Sequence, residues 1–479
     1  MIWKLQKEDL KRYPHFDKHL SIEEIEKIVK SSDRVRTNAF FPFIKYDKIY
    51  QPFRRKKGSS GKIEKPDKKT RTIRYACRRD AHIFSYYRHL ISDKYEVELK
   101  KLDIQDCPIA YRKIPISASS LSGKCNIDFA KDAFSVIHSI KECSALVLDI
   151  SGYFESLDHA HIHAIWCRLF GFDDLPADHA AVYKNITQYK VVDRTELYER
   201  LGFFGEKEKN GIKIKGYLVP FKKIPTQLCS VKDFRDKVAG KDKKYPKLIE
   251  TNKKIYGIPQ GAPISDIIAN FYLIDFDVLL NEYVKKRGGF YTRYSDDIII
   301  ILPGSPDNGL IAMDFIRSKI KEFGDQLEIK ESKCSLVSFS VHNEKLRYKH
   351  VHGKKGHNGL EYLGFRFTGS KVYLKDSTLS NLYRKISGTI RHDVKLFVKR
   401  NPSKDREYLY KVFDIENIFN KFGKAKDFDK SKTCEDWTFW TYAKRAAETF
   451  GPIGSSIIYQ LKRQRAIVKK KIIEEFQSE

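Results

Sequence analysis

The chain has 479 residues, of which 41% are hydrophobic and 13% aromatic, a composition that excludes an intrinsically disordered protein. Its formal net charge of +29 favours a polyanionic partner, with nucleic acid ahead of a membrane surface. The eight cysteines include no CxxC pair, and there is neither a secretory signal nor an apolar run long enough for a membrane span. We therefore expect a soluble, reduced, cytoplasmic protein.

The N-terminal part is predicted to combine a capped helix with a basic strand. Ser21 and Glu24 form a capping box at the start of an amphipathic pattern that ends near residue 30. In residues 65–74, basic side chains alternate with small or apolar ones, so a strand would place Arg71 on one face, where its guanidinium could grip a triphosphate. This segment by itself is better explained as a solvated basic edge strand.

A buried strand is predicted at residues 145–150, with Asp149 at its carboxyl end. A carboxylate in that position is a poor structural choice and a common catalytic one. The next helix carries His159, His161 and His163, but a spacing of two residues turns them to different faces, so we do not expect a zinc site.

Residues 187–256 are rich in lysine and interrupted by glycine and proline, which is typical of an insertion between two core motifs. Residues 257–265 follow with two glycines and two prolines. They predict a turn whose amides approach a ligand closely, leading into a long apolar helix over 267–284.

Residues 289–302 predict a β-hairpin with two adjacent carboxylates, Asp296 and Asp297, at its tip. Tyr294 and a run of four isoleucines enclose them, and burying such carboxylates without a partner is costly. A metal site and a solvated turn both fit the hairpin when it is considered alone. Beyond it we expect a helix over 311–323, a lysine-bearing strand over 327–336, a hairpin over 361–375 and a basic helical region from 377 onwards.

The order of these elements is that of a split βαβ, ferredoxin-like sheet. In such a sheet the end of the first strand lies beside the tip of the central hairpin, so Asp149 should meet Asp296 and Asp297. Three carboxylates in that space require divalent cations, and Mg²⁺ is preferred by hard oxygen ligands that share phosphate. Two such ions about 3.5–4 Å apart catalyse nucleotidyl transfer.

These motifs resemble those of reverse transcriptases. Residues 148–154 (LDISGYF) resemble motif A, residues 257–261 (GIPQG) motif B, and residues 294–297 (YSDD) the YxDD box of motif C. Lys333 falls where motif D carries its lysine, and residues 362–365 (YLGF) resemble the primer-grip motif E. The motifs follow in order over residues 60–370, and the A, B and C set together is highly specific.

The resemblance implies a role for each matched residue. It implies that Mg²⁺, with Mn²⁺ as a substitute, is held by Asp149, the carbonyl of Ile150, Asp296 and Asp297. It implies that the dNTP is bound by Arg71, Phe154, Gln260 and Gly261. Phe154 would be the steric gate that excludes a ribose 2′-hydroxyl, and Lys333 the general acid toward pyrophosphate. The primer grip would comprise Tyr294, Tyr362, Leu363 and Gly364.

The resemblance also implies an α+β, right-hand polymerase fold with fingers, a ferredoxin-like palm and a mainly helical thumb or C-terminal domain. The domains expected are an N-terminal extension (1–60), fingers (61–145), palm with motif A (146–186), a basic insertion (187–256), palm with motifs B to E (257–370) and a helical thumb or C-terminal domain (371–479). Retroviral RNase H and integrase patterns, retron NAxxH and VTG signatures and a maturase tail are not found in the sequence.

What remains resembles the bacterial, defence-associated, abortive-infection-like reverse transcriptases. That resemblance implies RNA-directed DNA synthesis in antiphage defence, a dedicated noncoding RNA as template, a DNA product and homo-oligomers. The alternatives are a template-independent or protein-primed DNA polymerase of the same family, a retron-type or group II intron-type reverse transcriptase, a primer-independent RNA polymerase and a non-catalytic RNA-binding scaffold. The bulky Phe154 counts against the RNA polymerase, and the three clustered aspartates count against the scaffold.

Overall fold

The computed structural model describes residues 3–50, 56–57, 63–64, 68–117, 120, 122–209, 211–353, 358–423 and 438–478. Its helices are α1 (Ile22–Val29), α2 (Ser32–Arg36), α3 (Arg78–Lys101), α4 (Asn126–Ile140), α5 (Tyr153–Ser156), α6 (His159–Phe170), α7 (Ala177–Thr187), α8 (Arg194–Arg200), α9 (Val231–Asp233), α10 (Ser265–Tyr272), α11 (Ile274–Lys285), α12 (Pro306–Lys319), α13 (Asp376–Arg400), α14 (Arg406–Val412), α15 (Ile415–Phe422), α16 (Phe439–Phe450), α17 (Ser455–Leu461) and α18 (Gln464–Ser478). Its strands are β1 (Phe43–Tyr50), β2 (Lys56–Lys57), β3 (Ile63–Glu64), β4 (Lys69–Tyr75), β5 (Cys143–Asp149), β6 (Lys190–Asp193), β7 (Phe204–Lys209), β8 (Ile212–Tyr217), β9 (Glu250–Thr251), β10 (Phe290–Tyr294), β11 (Asp297–Pro303), β12 (Ser335–His342), β13 (Lys345–His352), β14 (Leu360–Tyr362), β15 (Phe365–Phe367) and β16 (Val372–Leu374).

The central sheet, which we call the palm sheet, has the strand order β10-β11-β5-β12-β13 with every neighbouring pair antiparallel. Its first four strands follow the ferredoxin-like order, because β5 lies between β11 and β12 and the β10–β11 hairpin forms one side. The isoleucine run 298–301 is fully buried and alternates between two hydrophobic cores, one on each face of the sheet. The predicted α+β fold with a ferredoxin-like palm is confirmed.

A second sheet has the order β4-β1-β6-β9. Strand β1 is antiparallel to β4 and parallel to β6, and β6 is antiparallel to β9. The lysine-rich segment 187–256 therefore contributes both of its ends to a sheet with N-terminal strands, while its middle forms the β7–β8 hairpin. It also shares a small core with the N-terminal residues Phe16 and Ile44.

The described residues after β16 are mainly helical, as predicted. Helices α13 and α15–α18 pack with the small sheet β14-β15-β16 around a core that includes Phe365, Ile386 and Phe450. Two local predictions are wrong. The apolar helix over 267–284 is divided at Leu273 into α10 and α11, and the strand expected over 327–336 begins only at Ser335. In the part of the chain that is described, no helix is long and apolar enough to cross a membrane.

Candidate active site

Three predicted carboxylates meet at one end of the palm sheet. Asp297 opens β11 and lies directly opposite Asp149, the last residue of β5, in the antiparallel register. The amide of Ile150 donates a hydrogen bond of 3.0 Å to the carbonyl of Asp296, which ties the end of β5 to the hairpin tip. The antiparallel pairing of β5 with β11 thus brings together Asp149 and Asp297, which are about 150 positions apart in the sequence.

A buried ion pair that the sequence did not reveal supports the hairpin turn. Arg293 is fully buried, and its Nε and Nη2 donate to the carboxylate of Asp277 on α11 at 2.8 and 2.6 Å. Its Nη1 donates to the carbonyl of Ser295 at 3.1 Å, and Ser295 has a left-handed φ of 61°. The arginine therefore holds the strained residue immediately before the two aspartates. The available signal was an arginine in the middle of a predicted hairpin strand rich in aromatic residues.

The carboxylates are short of positive charge. Burial, then the neighbouring charges of Asp296 and Asp149, raises the pKa of Asp297 to about 7. Burial also raises the pKa of Asp296. The Lys333 ammonium contacts the Asp149 carboxylate and compensates part of the negative charge. This set of hard oxygen ligands fits divalent cations. The positive charge of such ions would offset both the cost of burying the carboxylates and the repulsion between them.

The carboxylates face a cavity of about 1740 Å³, counting its open mouth. Five more of the predicted site residues line the same cavity: Arg71, Ile150, Phe154, Gln260 and Lys333. Lys333 reaches the cavity from a short helical turn before β12, not from a strand. That turn brings its side chain to the Asp149 carboxylate.

Gly261 allows the turn at 257–261 to approach β4 closely. It has a φ of 115°, and a Cβ at this position would lie 2.7 Å from the carbonyl oxygen of Arg74. The carbonyl of the preceding Gln260 accepts a hydrogen bond of 2.9 Å from the Arg74 amide. Glycine therefore lets this turn lie against β4, which carries Arg71. Among the described residues, Gly261 is not one that lines the cavity.

The backbone of Phe154 is tied to the turn before α10. Its carbonyl accepts a hydrogen bond of 2.8 Å from the amide of Ile258. Gly257 permits this approach, because a Cβ there would lie 3.0 Å from the carbonyl oxygen of Glu155. The turn at 257–261 is thus joined to the α5 segment on one side and to β4 on the other.

The residues predicted as a primer grip lie on β10 and around the turn between β14 and β15. Tyr362 is only 2% exposed, and its hydroxyl lies 3.3 Å from that of Thr292. Tyr294 is half-buried, with its ring against Tyr111. Leu363 and Gly364 form a turn with left-handed φ values of 44° and 91°. In the described part of the chain none of the four lines the cavity.

Two neighbours of that turn do line the cavity. Glu361 and Lys375 form an ion pair of 2.9 Å there, and the Lys375 charge opposes the rise in the pKa of Asp297. The amide of Lys375 donates to the carbonyl of Gly364 at 2.9 Å. Lys375 is the residue immediately before α13 and is far from the three aspartates in the sequence. Its position beside the carboxylates is therefore visible only in the folded structure.

The three histidines of α6 point to different partners. His159 and His161 lie 2.9 and 3.0 Å from the carbonyl oxygens of Gly257 and Tyr272. His163 lies 2.9 Å from the carboxylate of Asp174. Their separation agrees with the helix geometry used in the sequence prediction.

Residues 223–367 match the family model described as reverse transcriptase (RNA-dependent DNA polymerase). Over these residues the match agrees with the motifs that resemble those of reverse transcriptases. It covers less than half of the chain and includes Gln260, Asp296 and Lys333, whereas Asp149 and Phe154 precede it. Among curated proteins, none matches the sequence.

The fold is also similar to solved telomerase structures. Apo telomerase from Candida Tropicalis, truncated from its C-terminal domain, shows 9% identity over 68% of this chain and 54% of that chain, with a TM-score of 0.36. Telomerase from Candida albicans, in complex with a TWJ fragment of telomeric RNA, shows 12% identity over 95% of this chain and 64% of that chain, with a TM-score of 0.34. The chain spans less than two thirds of either protein. At identities and TM-scores this low, we draw no functional conclusion from these similarities.

Proposed function

We propose that this protein is an RNA-directed DNA polymerase that adds dNTPs to a 3′-hydroxyl by two-metal nucleotidyl transfer. One observation carries the proposal: Asp149, Asp296 and Asp297 meet at the end of the palm sheet and face a single cavity. A structural role does not account for this placement, because clustered and partly buried carboxylates destabilise a fold that gives them no cation.

The metal site would be formed by the three aspartates and the carbonyl of Ile150. Their oxygen-only donor set suits two Mg²⁺ ions, with Mn²⁺ as a substitute. When bound, such ions lower the pKa of the attacking hydroxyl and stabilise the leaving pyrophosphate. The Arg293–Asp277 pair would keep the two hairpin aspartates in position, since it fixes the backbone immediately before them.

The other cavity residues would bind and orient the nucleotide. Arg71, on β4, would grip the triphosphate with its guanidinium. Phe154 would occupy the space beneath the sugar, and Gln260 would contact the nucleotide from the turn before α10. Lys333 contacts Asp149 in the protein alone and would hold a proton near the pyrophosphate once a nucleotide is bound. Tyr294 and the turn at Leu363 and Gly364 would support the primer end through the backbone.

The test is DNA synthesis by a double variant, Asp296→Ala plus Asp297→Ala. We expect incorporation of a labelled dNTP on an RNA template with a DNA primer to fall on the order of 10³-fold or more, because both ions lose ligands. The thermal midpoint and the affinity for RNA should be retained. Asp314→Asn, an exposed carboxylate on α12, is the matched control and should polymerise normally. Undiminished synthesis by the double variant would refute the mechanism.

The cellular role we propose is antiphage defence with a dedicated noncoding RNA as template, acting in the cytoplasm as a homo-oligomer. Its support is the resemblance of the motifs and the strongly basic chain. The described cysteines are all free thiols, which suits a reducing compartment. Sequencing the nucleic acids that co-purify with the protein tests this role. A single abundant RNA with matching cDNA is expected, and a random mixture of cellular RNA would contradict it.

A further inference from the structure

A second, smaller pocket lies at the N-terminus of α3, between that helix and the N-terminal residues around α1. Its free space, with the open solvent at its mouth included, is about 280 Å³. Its polar lining consists of basic side chains: Lys11, Lys18, His19, Arg78, Arg79 and His82. In the described ranges, no residue of this pocket also lines the cavity at the end of the palm sheet.

Arg78 is the buried member of this set. Its side chain is 4% exposed, and Nη1 donates to the carbonyl of Thr226 at 2.9 Å. Its Nε lies 3.3 Å from the carboxylate of Asp17. Its Nη2 is buried and has no hydrogen-bond partner among the described residues. A buried guanidinium nitrogen without a partner loses its hydration and gains nothing in return, so a further acceptor is expected.

The charge balance of the pocket is positive. Asp17 and Asp80 are the carboxylates near the start of α3, and both already accept hydrogen bonds. Asp17 accepts from the amide of Arg79 at 2.8 Å, and Asp80 accepts from the amide of Phe41 at 2.9 Å. These two carboxylates offset only part of the charge of the two lysines and two arginines. The positive end of the 24-residue helix adds to the excess.

The two histidines suit a donor role. Burial, together with the charge of Lys11, lowers the pKa of His82 to about 4, so His82 is neutral at neutral pH and offers a ring N–H. His19 is exposed, and its Nε2 accepts from Nη1 of Arg78 at 3.3 Å because a guanidinium can only donate, which leaves Nδ1 as the donor of this ring. The pocket thus combines a buried guanidinium nitrogen, two lysines near its mouth and imidazole groups, a donor set that matches a tetrahedral oxyanion.

We propose that this pocket binds a phosphate group, supplied either by a nucleic-acid backbone or by free phosphate. Arg78 would donate to it from the buried end, while Lys11 and Lys18 close over it from the exposed side. Because the pocket is separate from the nucleotide cavity, phosphate bound here would anchor a ligand on the N-terminal part of the chain and take no part in nucleotidyl transfer.

The first test measures the thermal midpoint in inorganic phosphate against chloride at equal ionic strength, without added metal. Phosphate should raise the midpoint of the wild-type protein, since a ligand that binds only the folded state stabilises it. The variant Lys11→Ala plus Lys18→Ala should lose most of that rise. Lys7→Ala plus Lys27→Ala removes two exposed lysines of the same region and should keep it. Arg78 is left in place because its contacts with Asp17 and Thr226 also hold the fold.

The second test separates the two sources of phosphate. Binding of a short single-stranded RNA is measured at several salt concentrations with the same variants. If the pocket holds backbone phosphates, Lys11→Ala plus Lys18→Ala should weaken binding and reduce the salt slope by about 1.4, the value for two lost contacts. If only the phosphate-induced thermal shift is lost, the ligand is free phosphate. If neither differs from the control variant, the proposal is overturned.

Discussion

Phe154 determines how much room the cavity offers beneath the proposed position of the nucleotide sugar. Its ring lines the cavity, and its carbonyl is held by the amide of Ile258 at 2.8 Å. This hydrogen bond fixes the backbone of Phe154 where the α5 segment meets the turn before α10. Rejection of a ribose hydroxyl would therefore rest on a steric clash with a ring whose Cα position is fixed.

Shortening this side chain should relax sugar selection. For Phe154→Ala, we expect NTP incorporation relative to dNTP to rise by about 10- to 100-fold, because a steric clash of a few atoms accounts for discrimination of that order. The measurement is kcat/KM for a matched NTP and dNTP on one primer and template. Phe221→Ala, at a ring that is 51% exposed, is the control and should leave the ratio unchanged. An unchanged ratio in Phe154→Ala would show that another residue selects the sugar.

At the scale of the element, the β10–β11 hairpin depends on a buried ion pair as much as on its isoleucines. Arg293 and Asp277 are both fully buried, and the hydroxyl of Tyr291 also donates to Asp277 at 2.5 Å. The desolvation of two charges makes such a pair a weak source of net stability, but the loss of one partner leaves the other uncompensated. The pair therefore serves mainly to specify the conformation of the turn at Ser295.

Removing one partner should destabilise the protein strongly. We expect Arg293→Met to lower the free energy of unfolding by about 3–5 kcal/mol, because it leaves the Asp277 charge buried and unpaired. The double variant Arg293→Met plus Asp277→Leu should recover part of this loss. Arg168→Met, which breaks the exposed pair with Asp275, should cost about 1 kcal/mol or less. Urea unfolding measures all three.

A positional role for Arg293 also predicts an effect on catalysis. In the double variant the charge imbalance is relieved but the hydrogen bond to the Ser295 carbonyl is absent. We expect kcat to fall while KM for the dNTP changes little, since the nucleotide-binding side chains stand on other elements. Full kcat in a folded double variant would show that the turn needs no support from this arginine.

At the scale of the whole molecule, segment 187–256 and the N-terminal residues form one unit. The backbone of His15 donates to the carbonyl of Thr226 at 2.9 Å and accepts from the amide of Leu228 at 2.8 Å. The His15 ring is fully buried, and burial lowers its pKa to about 3. The amide of Phe16 donates to Nδ1 of this ring at 2.9 Å, a hydrogen bond that requires the neutral form.

This buried imidazole should make the protein sensitive to acid. The unfolded state takes up a proton below pH 6.5 and the folded state only near pH 3, so stability is complete above pH 6.5 and is lost as the pH falls through that window. At pH 5 the loss from this residue is about 2 kcal/mol. The drop in the free energy of unfolding between pH 7.5 and pH 5 should be smaller by that amount in His15→Gln. The exposed His138→Gln should behave as wild type, and equal drops in all three proteins would refute the assignment.

The sequence alone determined the local elements and the chemistry they carry. The strand ending in Asp149, the glycine- and proline-rich turn at 257–261 and the hairpin with Asp296 and Asp297 are visible because hydrophobic periodicity and turn chemistry are properties of neighbouring residues. The order of these elements was enough to predict the ferredoxin-like sheet and the meeting of the three aspartates, because few topologies suit that order.

Only the tertiary structure decided which distant residues support and complete the site. The Arg293–Asp277 pair, the position of Lys375 beside the carboxylates, the burial of Tyr362 and the pairing of β6 with β1 all join residues that no local pattern relates. Their cause is the burial of charge and apolar surface between separate elements, which depends on packing in three dimensions and not on sequence spacing.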